Sequence, residues 1–137
     1  MRRMSNVNFN GEVRTVLDKG DIFAIRDEIN RVTISETLEK YIIELVFATR
    51  RPLEYGLKEE AAYIQFGVSP RASINLNRAA KATAFLNGRD YVLPEDIKEV
   101  AHDVMNHRLL LNYEAEADGI SSSQIVEMIL KKVAIGR

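Results

Sequence analysis

The residues best suited to chemistry lie in one short run, Gly67-Val68-Ser69-Pro70-Arg71-Ala72-Ser73. Serine before proline is helix-start punctuation, because the hydroxyl can accept a first-turn amide and the fixed φ of proline suits the first helical position. Arg71 then puts a cation where the helix already behaves like about half a positive charge, a placement that loses roughly 0.3–1 kcal/mol. An external phosphate reverses that sign, since free amides, dipole and a guanidinium fork able to grip two oxygens all act together. The chemistry available to this run is contact with a phosphoryl group. The same residues also fit a plainer description, a solvent-exposed arginine on a well-capped helix.

The elements that must position this run are mostly helical. Ile22, Ile25, Ile29 and Val32 recur at helical spacing, with Asp21 placed to cap the first turn. A second helix starts near Ser35, sets Leu38, Tyr41, Ile42 and Leu45 on one face, and reaches Arg50-Arg51 before Pro52 stops it. Residues 54–67 are less regular, and Tyr63-Ile64-Gln65-Phe66 alternates as a short strand would. A long third helix opens at Ser69-Pro70, carries Leu76, Ala79, Ala80 and Thr83, and ends at Asn87-Gly88, where glycine supplies a left-handed stop. Tyr91-Val92 gives an extended link before Pro94-Glu95-Asp96 opens a fourth helix with Ile97, Val100, Ala101 and Val104 in a stripe, ending near His107. Residues 108–119 read as a short strand at Leu109-Leu110-Leu111 and an exposed acidic loop. Ser121 with Gln124 forms a capping-box pattern ahead of Ile125, Val126, Met128, Ile129, Leu130 and Val133. The expected fold is therefore mainly α, a bundle of about five helices with at most a small two-stranded β element. Residues 1–20, rich in asparagine and glycine, read as an irregular connector and 21–137 as the domain.

Composition narrows the function. Nineteen lysines and arginines against twenty aspartates and glutamates leave no field strong enough to recruit nucleic acid or an anionic membrane, so phosphate recognition must be local. Without cysteine there is no disulfide framework, thiolate metal site or cysteine nucleophile. No apolar run approaches the roughly 18–20 residues that span a bilayer, and Met1-Arg2-Arg3 leads into polar residues, which points to a cytoplasmic protein. His102 and His107 are separated by about 140° on a helix and cannot share a metal from it, so no metal site is expected. Glu114, Glu116 and Asp118 lack the order of a calcium loop.

Together these runs carry a resemblance. Gly67 to Ala72, Arg78-Ala79-Ala80-Lys81-Ala82, Gly88-Arg89-Asp90-Tyr91-Val92, Pro94-Glu95-Asp96-Ile97 and His107-Arg108-Leu109, with Tyr41-Ile42 and Ala48-Thr49-Arg50 upstream, follow one another as in the C-terminal lid of MoxR-type AAA+ ATPases. The similarity extends over residues 32–133. It implies that Arg71 is the sensor 2 arginine, acting with Gly67, Ser69 and Pro70 on ATP and Mg held by an α/β core. The chain has no Gly-x-x-x-x-Gly-Lys-Ser/Thr loop and no strand ending in paired acids, so it is not expected to hydrolyse ATP alone. Residues 1–10 resemble the tail of the core, so Met1 reads as either an internal residue or an added start. The resemblance further implies partners: the core, neighbouring subunits of a hexamer, von Willebrand factor A domain proteins and metal-dependent enzymes as clients of a chaperone.

Other residues have plainer expectations. Arg50 and Arg51 suit the negative end of the second helix, with a nucleotide or neighbouring-subunit contact as the alternative. Arg78, Lys81 and Arg89 read as a solvated charged face. Two other classes remain for the whole chain: a helical DNA-binding module, disfavoured by the charge balance, and a free-standing adaptor with an exposed apolar face.

Overall fold

Residues 15–136 are described by a computed structural model. Among them are seven α-helices: α1 (Lys19–Arg31), α2 (Glu36–Arg50), α3 (Lys58–Tyr63), α4 (Arg71–Leu86), α5 (Pro94–Met105), α6 (Tyr113–Ala117) and α7 (Ser122–Lys132). Strands β1 (Ile64–Phe66) and β2 (Leu110–Leu111) pair antiparallel, Ile64 opposite Leu111 and Phe66 opposite Leu110, with an irregularity between the two pairs. The mainly α bundle with one small two-stranded element is the architecture the sequence pattern implies. Five helices match the expected ones. The two additional helices, α3 and α6, occupy stretches read as irregular and as an acidic loop, and each buries a single residue, Glu60 and Ala115 respectively. Asn112 explains α6: its side-chain oxygen accepts the Ala115 amide at 3.1 Å while its amide donates to the Ala62 carbonyl at 2.6 Å.

The helix ends follow from their caps. α1 starts earlier than expected: Asp18 is the cap, accepting from the Asp21 amide, and Asp21 returns the bond to the Asp18 amide, both at 2.9 Å. Lys19 and Gly20 therefore belong to α1, and residues 1–14 of the expected connector lie outside the described residues. Ser35 accepts from Leu38, and Ser121 with Gln124 completes the anticipated box. After α4, Gly88 takes φ +71°, its amide bonding to Phe85 and the Arg89 amide to Ala84, a Schellman closure.

At the centre lies α4, packed between α5 and α2. Its buried stripe is Ala72, Leu76, Ala80 and Ala84, a four-residue repeat whose three alanines let α5 approach closely; Ala79 and Thr83, expected on that stripe, are half-buried beside it. Leu45 and Ala48 from α2, Ile97, Ala101 and Met105 from α5, and Val126 and Ile129 from α7 complete the interior. Burying an aliphatic side chain of this size contributes about 1.5–3 kcal/mol before entropy is counted. α1 contributes no buried residue and leaves Ile22 and Phe23 exposed, although Val32, just past its end, is buried. None of the helices among the described residues is long and apolar enough to cross a membrane.

Candidate functional site

Arg71 stands in the first turn of α4 on an exposed position, and among the described residues its guanidinium has no carboxylate, carbonyl or aromatic partner. The sequence pattern of the cap is realised loosely. Pro70 has helical dihedrals (φ −53°, ψ −27°), the Ser69 carbonyl accepts the Ala72 amide at 2.8 Å, and the Ser69 hydroxyl accepts the Arg71 amide at 3.4 Å. Ser73 donates its hydroxyl to the Pro70 carbonyl at 2.7 Å. No acidic residue occupies the first turn of this sixteen-residue helix, whereas α1, α2, α3, α5 and α6 each carry at least one there. The dipole and the arginine are thus left unoffset, an arrangement complementary to an anion.

Beyond Arg71 the open face of α4 continues through Ile74, 52% exposed, to Arg78. Across from it α2 presents Glu39 and Ile43, and these residues with Ile42, Ser73 and Asn77 enclose a groove of 370 Å³. The exposed Ile43 and Ile74 of the groove suit a surface that meets another protein body; Arg71 lies outside its lining.

Behind the run, Gly67 has a definite reason to be glycine. A Cβ there would fall 2.4 Å from the Thr49 carbonyl oxygen and 2.8 Å from Cγ of Arg50, so β1 leaves the sheet in direct contact with the last turn of α2. The buried Thr49 hydroxyl accepts the Val68 amide at 2.9 Å and donates to the Val46 carbonyl at 2.6 Å. Arg50, the basic residue in the last turn of α2, also reaches across to the run, donating to the Val68 carbonyl at 3.4 Å. Arg51 stacks on Phe47 at 5.7 Å and lies 3.7 Å from Glu54, a use local to its helix end. Sequence reasoning gave Thr49 no role.

The solvated charged face expected of Arg78, Lys81 and Arg89 is not kept by Arg89. Arg89 forms a two-pronged ion pair with Asp96, at 2.6 and 2.8 Å, and donates to the Tyr91 carbonyl at 3.1 Å. Asp96 is 2% exposed and also accepts the Leu93 amide at 2.8 Å, which opens α5. The Arg89 guanidinium holds the Asp96 carboxyl below its ordinary range, with the Leu93 amide adding to the effect, and the guanidinium is in turn pushed up by the carboxylate. The pair fixes the α4–α5 turn and is remote in sequence from Arg71. His102 lies 3.3 Å from Glu127 and 3.2 Å from Ser123, tying α5 to α7, while His107 is exposed in a 3₁₀ turn.

Comparison with known proteins places this geometry. The AAA lid domain family matches residues 57–129, over half of the chain. Chaperone MoxR1 of Mycobacterium tuberculosis is 37% identical over 124 residues, covering 90% of this chain and 33% of that protein. Protein MoxR of Paracoccus denitrificans is 41% identical over 92 residues, covering 63% of this chain and 27% of its own length. A crystal structure of a candidate ATPase from Cytophaga hutchinsonii superimposes with a TM-score of 0.93 at 68% identity, over all of this chain and 42% of that one. The chain spans about a third of the length of the curated relatives it matches. By sequence, fold and helix order alike, this chain belongs to the AAA lid domain family, as the helical lid of MoxR-type AAA+ proteins.

Proposed function

We propose that this lid responds to nucleotide held on an AAA+ core and that Arg71 is its sensor 2 arginine. The observation that carries the reading is the exposed guanidinium, without a partner among the described residues, in a helix first turn that contains no acid. The donor set fits a triphosphate: arginine grips two phosphate oxygens in one plane, and the helix end adds partial positive charge behind it. ATP with Mg supplies the reacting phosphoryl group and the core supplies the remaining machinery. The task of this chain is to hold Arg71 toward the terminal phosphate, with Gly67, Ser69 and Pro70 shaping the approach. A contact made with the triphosphate and lost after hydrolysis gives the lid a differential affinity, which is what shifting a domain angle requires.

In this reading the groove face of α2 and α4 meets the core. Whole rings, hexameric in MoxR-type ATPases, convert the lid movement into chaperone work on other protein complexes in the cytoplasm. Proteins with von Willebrand factor A domains and metal-dependent enzymes are the proposed partners and clients. The test is ATP turnover by the AAA+ protein that carries this lid. Arg71→Ala should lower kcat about 10²-fold or more, as loss of a phosphate-contacting arginine does elsewhere, with Arg71→Lys intermediate. Unchanged turnover in Arg71→Ala would remove Arg71 from the mechanism.

A further inference from the structure

We propose that Thr49, assisted by Arg50, is the positioning element for Arg71: the last turn of α2 holds both backbone polar groups of Val68 and so sets the direction from which α4 begins. The inference rests on the reading of Arg71 just given. It starts from a side chain whose hydrogen bonding is out of the ordinary. A threonine hydroxyl in a helix commonly donates to the carbonyl three or four residues back and stops there. Thr49 makes that bond, to Val46 at 2.6 Å, and then spends its acceptor on the Val68 amide nineteen residues onward, at 2.9 Å, with no exposure to solvent.

The opposite side of the same residue is held as well, since Arg50 donates to the Val68 carbonyl at 3.4 Å. Gly67 seals the contact, because its missing Cβ is what lets the backbone lie against the Thr49 carbonyl. From Val68 to Arg71 the chain has little freedom. Pro70 fixes φ, the Ser69 carbonyl is bound by the Ala72 amide at 2.8 Å, and the Val68 and Ala72 side chains are fully buried on either side. A change of angle at Val68 is therefore carried into the first turn of α4, while Thr49 itself, fully buried, is kept from any ligand. Contributions of oriented groups fall steeply with misplacement: a shift of about 1 Å can cost on the order of 10²-fold in rate.

The experiment measures ATP turnover of the AAA+ protein carrying this lid, with Thr49→Val, Thr49→Ser, Arg71→Ala and the double variant Thr49→Val/Arg71→Ala. Thr49→Val preserves shape and removes the hydroxyl. It should lower kcat on the order of tenfold with KM for ATP little changed, as expected when an interaction realised in the transition state is weakened. Thr49→Ser should restore most of the rate. In the Arg71→Ala background Thr49→Val should have no further effect, because a positioning residue has nothing left to aim. Arg50→Gln, at an exposed position outside the core, loosens the Val68 carbonyl and reports in the same two backgrounds should Thr49→Val not fold. Equal losses with and without Arg71, or full turnover in Thr49→Val, overturn the proposal while leaving sensor 2 in place. Full turnover in Arg71→Ala overturns both.

Discussion

Replacing Gly67 by alanine tests the contact on which the site is built. The methyl group would begin 2.4 Å from the Thr49 carbonyl oxygen, 2.7 Å from its carbonyl carbon and 2.8 Å from Cγ of Arg50. The arginine stem can rotate away, but the two backbone atoms cannot, so either the end of β1 or the last turn of α2 must retreat by roughly 1 Å to reach an ordinary van der Waals separation. Gly67 does not adopt a positive φ, so the penalty is steric and owes nothing to conformational preference. Overpacking of this kind costs about 1–3 kcal/mol. Part of the cost falls on the hydrogen bond from the Val68 amide to Thr49, which shares the interface. In urea unfolding of the chain, Gly67→Ala should shift the midpoint at unchanged slope, and thermal unfolding should begin roughly 3–10 °C lower. Gly88→Ala makes the comparison specific. There φ is +71° and nothing lies within 4 Å of the added methyl, so its cost, about 1 kcal/mol, comes from backbone conformation alone. The added contact also predicts that Gly67→Ser is no milder than Gly67→Ala. A Gly67→Ala variant within about 0.5 kcal/mol of the parent would show that α2 and the Gly67–Arg71 run are not in rigid contact, and would refute this account.

Three further outcomes concern the α4–α5 turn and Arg71. Asp96→Ala removes the buried partner of the partly exposed Arg89 and the acceptor of the Leu93 amide, and should destabilise the domain by about 1–3 kcal/mol in denaturant titrations. Because the folded-state pKa of Asp96 is depressed, its contribution is fully present above the unfolded aspartate value of about 4 and is lost as pH falls through the lower folded value. Unfolding midpoints measured between neutrality and strong acid should show that loss in the parent and a flatter profile in Asp96→Asn. Arg71→Ala should leave unfolding within about 0.5 kcal/mol of the parent, since the side chain is exposed and has no partner among the described residues. A large destabilisation would mean that Arg71 serves the fold.

The parts of the fold legible in the sequence are those where one local signal agreed with a long periodic one. Ser35 and Leu38 open α2 ahead of a stripe through Tyr41, Ile42 and Leu45, Ser121 and Gln124 open α7, and Gly88 ends α4 in the left-handed region. α3 and α6 failed that standard because six and five residues hold fewer than two turns, and one buried side chain in each sets no period. The acidic run around Glu114 looked like a loop because its only helix signal is Asn112, a residue as common in turns as in caps. Arg89 and Asp96 were illegible for another reason: they sit on opposite sides of the α4–α5 turn, and it is the path of that turn that brings them to 2.6 Å.

For the proposed site the sequence singled out Arg71 and left out the residue we propose positions it. Arg71 announced itself because its charge opposes the local helix field, a conflict visible without coordinates. Thr49 announced nothing of that kind, yet a signal was present. Leu38, Ile42, Leu45 and Thr49 fall on one helical stripe, so a hydroxyl stands where an apolar side chain is due. A buried hydroxyl must be hydrogen-bonded, and its own helix accounts for only one of its bonds. The remaining acceptor demands an amide from a neighbouring segment at the C-terminal end of α2. Gly67-Val68 is a segment whose glycine permits that approach, so the polar residue on the apolar stripe and the glycine before the cap are two halves of one contact. The hydroxyl on the apolar stripe of α2 and the cation in the first turn of α4 are thus joined through two residues, Gly67 and Val68, which is the connection the positioning proposal uses.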